Sequence, residues 1–337
     1  MTALVKAAKA EGKLNLIADP RNWANYGAIM DGFTKKYHIK INDENPLGSS
    51  AEEITAITQD TGRSSDPDWI DVGENYAVGG VTSHLLAAYK VHTWNEIPAG
   101  AKNSNGYWAN DYGGFVSIGC NSKALGPNNQ PITCPTTFAQ MAAATSSSGY
   151  KICMNNSPTV AEAALVAVMT ASTNSGGSLD SVAQGVTLFA TLHKNGTYVP
   201  VVAEPAQIAD GTCNILLWYD YLNVADFTTQ AGWTVTIPSN SVGVYYATAI
   251  NKNAPDPAAA RLWAEYCYSV IGQNDWLGGG ARPIELTYMI AHGTANTKLT
   301  AALPTLPATS PPIFPSQTQL TNAATYITSN WASAVGG

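Results

Sequence analysis

Two hydrophobic periods alternate along the first hundred residues. A helical spacing over residues 2–11 stops at Gly12, and the apolar run Leu14, Leu16, Ile17 then reads as a short buried strand. "YGAIMDGFTKKY" restores helical spacing, and "HIKIN" is a second apolar strand. "SSAEEITAITQD" opens with Ser50 and Glu53 at capping-box spacing before another helical run. "DWIDVG" is a third short strand, ending in the polar and aromatic stretch "ENYAVGG". Strand and helix in alternation predict a parallel sheet with helices on both faces.

Beyond residue 106 the pattern changes. "GYWANDYGGFVSIGCN" alternates aromatic and β-branched residues around Gly113 and Gly114, as in an extended chain crossing between lobes. "YKICMNN" restarts a strand, "SPTVAEAALVAVMTAS" reads as a Pro-started helix, and "LDSVAQGVTLFATLHKNG" as a helix closed by Gly196. "TCNILLWYDY" is another buried strand, and "SVGVYYATAIN" reads as the return crossing. "DPAAARLWAEYCYSVIG" follows as one helix, and the Pro/Thr/Ser-rich tail after about residue 301 reads as weakly helical. A chain of 337 residues exceeds one ordinary core. The crossings divide it into a first lobe of 1–112 plus 244–282 and a second of 113–243 plus 283–337.

Composition narrows the function. Charged residues are 12% of the chain and the net charge is −7 without a basic cluster, which argues against nucleic acid and anionic membranes. No apolar run approaches the roughly 20 residues of a membrane helix. The opening "MTALVKAAKAEGKLNL" has no leader pattern, so the expectation is a cytosolic protein or a mature exported one. Low charge and abundant Asn and Thr favour export, periplasmic or extracellular, and suit acidic surroundings. Five cysteines lack metal-ligand spacing; Cys120 and Cys134 bracket a Gly/Pro/Asn-rich loop that a disulfide would close, and Cys267 fits a buried thiol. No nucleotide-binding, serine-hydrolase or zinc-protease signature is present, and the five histidines are scattered. Neither a cofactor nor a metal is expected.

One pattern recurs. Strand ends carry aromatics mixed with acids or amides: Asp19, Asn22, Trp23 and Tyr26; Glu74 and Tyr76; Asn155 and Asn156; Trp218, Tyr219 and Asp220. In an open α/β sheet such ends face the ligand crevice. Aromatic faces and carboxylates together suit a cation, each π contact being worth roughly 0.5–2 kcal/mol when desolvated.

Several of these stretches, with others along the chain, carry a resemblance. "EGKLNLI" followed by "NWANYGAIMDGFTKKY" is similar to the opening strand and helix of the family 1 extracellular solute-binding proteins of bacterial ABC importers, which include polyamine and ferric-iron binders. The polyamine branch has an N-W-x-x-Y arrangement, matched by Asn22, Trp23 and Tyr26. "DWIDVGENYAVGGVTSHLLAAY" resembles the segment presenting Ser-x-Tyr to ligand, with Glu74 in place of the Ser and Tyr76 keeping the Tyr. "LLWYDY" falls where that branch places a stacking Trp, here Trp218. "VYYATAINKNAPDPAAARLWAEYCYS" is very like the family's return strand, turn and helix, and the resemblance spans roughly residues 3–290.

The resemblance implies a bilobal periplasmic-binding-protein fold (type II), two parallel or mixed-sheet α/β lobes joined by a hinge and closing on ligand. Trp23 and Tyr26 would then line the first lobe's face of the cleft, opposite Trp218 and Asp220. It implies a monomeric carrier without catalysis, whose partners are a small cationic or zwitterionic solute and a membrane permease. Arg282 in "GGGARPIEL" either meets an anionic end of the solute or pairs with Glu285 or Asp275. The alternatives are a ferric-iron binder using Tyr245 and Tyr246, and an enzyme built on the same fold.

Overall fold

The computed structural model describes residues 1–227 and 230–336. Its chain forms two units, Met1–Gly113 with Tyr245–Ala302 (unit 1) and Gly114–Val244 with Leu303–Gly337 (unit 2). Helix α1 (Thr2–Glu11) stops where Gly12 turns left-handed, φ 78°, and returns its N–H to Ala8. Strand β1 (Lys13–Ile17), α2 (Tyr26–Tyr37) and β2 (Lys40–Glu44) make a right-sized βαβ unit, with β1 and β2 paired in parallel from Lys13 opposite Lys40. Ile29, Met30 and Phe33 of α2 are buried on its apolar face.

Helix α3 (Ser50–Gln59) is capped one residue earlier than its sequence suggests. Ser49 accepts from the Glu52 N–H and Glu52 returns the bond to the Ser49 N–H at 2.8 Å. That phase frees Ser50 to accept from the Gly73 N–H and turns Glu53 into the core, where it accepts from the Asp71 N–H at 3.0 Å. Strand β3 (Trp69–Gly73) leads through α4 (Glu74–Thr82) to the short β4 (Leu86–Ala87). Ile17, Ile57, Ile70, Val72 and Ala247 form part of one apolar core of this unit.

Strand β5 (Ala109–Asn121) carries the chain into unit 2. There follow α5 (Phe138–Ala142), β6 (Ile152–Met154), α6 (Glu162–Thr173), α7 (Ala183–Lys194) and β7 (Tyr198–Val202). Then come α8 (Pro205–Ala209), β8 (Ile215–Tyr219), α9 (Asp220–Phe227) and β9 (Trp233–Thr236). Strand β6 lies parallel to both β7 and β8, while β5 runs antiparallel to β8 and β9. Helix α6 does not start at Pro158: the Ser157 carbonyl collects the N–H groups of Val160 and Ala161 in a turn, and the helix begins at Glu162.

Strand β10 (Gly243–Asn251) returns to unit 1 and pairs antiparallel with β3 and β4. The apolar stretch read as one helix is two, α10 (Pro257–Cys267) and α11 (Val270–Gly278), because Ser269 leaves helical geometry and its hydroxyl caps the Gly272 N–H at 3.3 Å. The two-residue β11 (Arg282–Pro283) pairs with β5, Arg282 opposite Gly113. Helices α12 (Leu286–Ala291) and α13 (Thr297–Ala302) stay in unit 1, so the chain leaves it after residue 302 and not after 282. Asn274 of α11 holds this segment, donating to the Thr294 carbonyl at 3.0 Å and accepting from the Asn296 N–H at 2.7 Å. The tail ends in α14 (Gln317–Val335), a 19-residue helix with its own Ser316–Gln319 capping box. Its Trp331 packs edge-on against Phe189 and Tyr198.

The Cys120–Cys134 disulfide is present, and a second, Cys153–Cys213, joins β6 to the turn before β8. Cys267 is a free, buried thiol.

Candidate functional site

In unit 1 the segment after β1 carries the first group of candidate residues. Asp19 follows Ala18, which takes a left-handed φ of 61°, and is 1% exposed. Asn22 is exposed, Trp23 half-buried and Tyr26 buried at the first turn of α2. Asn25, not Asn22, ties this segment down, its Nδ2 donating to the Asp275 carbonyl at 2.8 Å.

Four residues absent from the sequence-based set complete the group. Asp71, in the middle of β3, accepts from the Tyr26 hydroxyl. Asp111 and Tyr112 come from β5, and Asp111 Oδ1 accepts from the Tyr112 N–H at 2.7 Å. Trp276 of α11 stacks on Tyr112 at 4.4 Å and meets Tyr26 edge-on at 4.8 Å. Tyr112 in turn accepts from Trp23 Nε1 at 2.9 Å and stacks on Tyr246 at 5.6 Å. The result is an aromatic wall of Trp23, Tyr26, Tyr112, Tyr246 and Trp276 over buried carboxyl groups.

The electrostatics of those carboxyl groups are unusual. Burial raises Asp19 well above the ordinary carboxylate range, and the charges of Asp71 and Asp43 raise it further. Burial pushes Asp71 to about 7 against the opposing hydrogen bonds of Tyr26 and Tyr112. Asp111 is raised by burial and then by Asp71; Glu53 is raised by burial, then by Asp19 and Asp71. No lysine or arginine figures among the influences on Asp19, Asp71 or Asp111. The arginine of the β1–α2 connection, Arg21, is exposed and paired with Asp31 at 2.7 Å.

The other candidates of unit 1 lie on α4 and β11. Glu74 opens α4 half-buried, its carboxyl raised by burial and steadied by Asn110, whose Nδ2 donates to the Tyr246 carbonyl at 2.9 Å. Tyr76 is 37% exposed on α4. Arg282 is buried in β11. Glu285 is raised to about 8 by burial, with Thr93 and Lys102 opposing.

In unit 2 the candidates stand at the carboxyl ends of two neighbouring parallel strands. Asn156 follows β6 and accepts from the Ser157 N–H at 2.7 Å. Trp218 and Tyr219 end β8 and are buried, and Tyr219 stacks on Tyr221 at 5.7 Å. Asp220 opens α9, fully buried, and its Oδ1 accepts from the Phe115 N–H at 2.8 Å. Among the described residues no group of three or more His, Cys, Asp or Glu is arranged to hold a metal ion.

No family model matches the sequence. No curated protein matches it either. Solved structures match closely in fold. An ABC transporter substrate-binding protein from Bradyrhizobium japonicum superposes with a TM-score of 0.74 at 15% identity, over 96% of this chain and 99% of that one. The periplasmic binding protein AfuA from Actinobacillus pleuropneumoniae, with fructose-6-phosphate bound, gives 0.70 at 15% identity, over 96% and 98%. Iron-bound HitA from Pseudomonas aeruginosa gives 0.64 at 15% identity, over 96% and 99%. The chain therefore has the α/β fold of the bacterial periplasmic solute-binding proteins, as its sequence leads one to expect. Because proteins of this fold hold cargoes as unlike as iron and a sugar phosphate, the solute has to be argued from side chains.

Proposed function

We propose that this chain is the extracytoplasmic solute-capturing component of an ABC importer, without catalysis, and that its solute is a small organic cation or zwitterion. The observation that carries the reading is the unit 1 cluster: three buried carboxyl groups under an aromatic wall, with no basic group among the influences acting on them. Carboxylates give a cation directional, charge-assisted hydrogen bonds, and aromatic faces attract it through their quadrupoles. Arg282 is the candidate for an anionic end, which makes a zwitterion compatible with the same unit. Asn156, Trp218, Tyr219 and Asp220 are the candidates of unit 2, at strand ends where open α/β sheets take ligands. Two disulfides support an oxidising, extracytoplasmic location, and the low acidic charge supports a carrier that meets neither nucleic acid nor an anionic surface. A membrane permease is the partner such a carrier requires.

The test is a thermal-shift screen of amines, amino acids and sugar phosphates, alongside mass spectrometry of any solute released from the purified protein by denaturation. A cationic or zwitterionic solute recovered from the protein, or raising its Tm, is the expected result. Stabilisation by sugar phosphates alone, or a co-purifying neutral sugar, would overturn the reading.

A further inference from the structure

The carboxyl cluster raises a question that rests on this reading: what balances its charge before a cation arrives? Asp19, Asp71 and Asp111 come from the end of β1, the middle of β3 and the start of β5, and none is more than 6% exposed. Tyr26 is the hydroxyl that acts on Asp19, which has no other hydrogen-bonding side chain acting on it, and Asp71 Oδ1 and Asp111 Oδ2 are unpartnered. An ionised, buried and unpaired carboxylate is among the costliest arrangements in a protein, so groups in this position take up protons.

Among the described residues, the groups that act on the three aspartates carry no positive charge, and the buried Arg282 of β11, which pairs with β5, is not one of them. Helix α2 presents Tyr26, β2 presents Asp43 and α3 presents Glu53. The end of α10 presents the Cys267 thiol and the Tyr268 hydroxyl, both raised by burial and by Asp111. Strand β5 adds Tyr112, β10 sets Thr248 opposite Asp71, and Asp275 of α11 acts on the nearby thiol. All the titratable groups in this set are acids. Arg21 acts on Asp43 but is engaged with Asp31 at the surface.

We propose that the Asp19–Asp71–Asp111 cluster is a proton-exchange site, in which a cationic group that settles against it replaces a bound proton. In the exchange a carboxyl O–H bond breaks, the proton leaves to solvent, and the carboxylate pairs with the incoming ammonium or guanidinium. The charge of the site is the same before and after, so the cation enters without leaving buried charge unbalanced. Capture then strengthens with rising pH and weakens in acid, by about tenfold per pH unit for each proton exchanged. The carboxyl oxygens left over, on Asp71, Asp111 and Asp19, are the acceptors for the cation, and the Tyr26 hydroxyl orients Asp71 and acts on Asp19.

Two measurements on the full chain test this. Infrared spectroscopy of the solute-free protein at neutral pH should show a protonated-carboxyl band that diminishes in Asp71→Asn and in Asp111→Asn. Calorimetric titration with putrescine and with γ-aminobutyrate, each in phosphate and in Tris, reads the protons released. The expected result is a buffer-dependent heat equivalent to about one proton per cation bound. A solute-free protein lacking the band, or binding with buffer-independent heat, overturns proton exchange while leaving the cation reading intact. Failure of both probes to bind at any pH between acid and neutral, with the band present, overturns the cation reading and the exchange together.

Discussion

Gly114 and Tyr26 show how much single atoms decide in the two units. A Cβ built on Gly114 would lie 2.5 Å from Asp220 Oδ1 and 2.6 Å from a ring carbon of Tyr221, distances no real side chain tolerates. Gly114→Ala must therefore displace the carboxyl that accepts from the Phe115 N–H. The expected loss is about 2–4 kcal/mol by urea unfolding, from overpacking plus a buried N–H left unpaired. Gly79, inside α4 with open space at its Cβ position, is the control, and Gly79→Ala should be neutral or stabilising by up to about 1 kcal/mol. Tyr26→Phe carries a pH signature. Its hydroxyl favours the charged form of Asp71, so its loss should raise the already elevated Asp71 pKa. The destabilisation, of order 1–3 kcal/mol, should be larger at pH 8 than at pH 5, because the unpaired carboxylate is populated only above its pKa. Equal losses at the two pH values would separate Tyr26 from the titration of Asp71.

Among the elements, both disulfides belong to unit 2, and they differ in the length of chain they close. Cys153–Cys213 spans 60 residues and Cys120–Cys134 spans 14. In the chain-entropy account these closures stabilise by about 4 and about 3 kcal/mol respectively. Replacing each pair by serines should lower unit 2's unfolding transition in calorimetry, the first by more, while a separate transition of unit 1 stays in place. A uniform shift of the whole profile would show that the units unfold as one. The Cys120–Cys134 pairing was legible because its cysteines bracket one turn-rich loop; Cys153–Cys213 joins residues far apart in sequence, which spacing alone does not reveal. The same limit governs the other elements. Helices α1, α2 and α7 and strands β1 and β3 followed from periodicity and Gly stops, since their signals are local. Helix α14 read as weak because its Thr, Ser and Asn residues have middling propensity, yet Ile327 and Trp331 bury it against α7. The α10–α11 break was hidden because its apolar spacing runs on through Ser269, whose capping role needs a backbone angle to be seen. At the candidate site, Asp19, Trp23 and Tyr26 stood out as strand-end residues. Asp71 did not, because alternation in "DWIDVG" assigns it to a wet face, whereas every residue of β3 is buried. Trp218, the expected stacking residue, is buried, so its truncation will weaken the fold as well as any binding.

Over the whole molecule, the sparse surface charge and the buried acids lead to one prediction about pH. Burial raises Asp43 and Asp66 to about 6, Asp68 and Asp71 to about 7 and Glu285 to about 8, and lifts Asp19, Glu53 and Asp111 in the same direction. In the unfolded chain these carboxyls titrate near 4. Between about pH 4 and pH 8 the folded protein therefore holds more protons than the unfolded one, and stability must fall as pH rises. The sign is opposite to that of a protein fixed by carboxylate salt bridges, which loses stability in acid. Groups that do favour ionisation in the fold, such as Glu52 and Asp210, are fully exposed at the surface and their loss below pH 4 weighs little. Asp66 is buried but accepts from Asn251 Nδ2 at 2.9 Å, which limits its rise, so Asp19, Asp71, Asp111 and Glu53 dominate. The solute-free protein should gain roughly 5–10 °C in Tm between pH 8 and pH 5 and keep it to about pH 4. Cation capture runs the other way, strongest where the fold is least stable, so saturating solute should flatten the profile by stabilising the neutral side. Calorimetry across pH 3–8, with and without solute, reads both. A maximum at neutral pH for the empty protein would show that the buried carboxyls are ionised and paired, and would remove the acid-tuned fold.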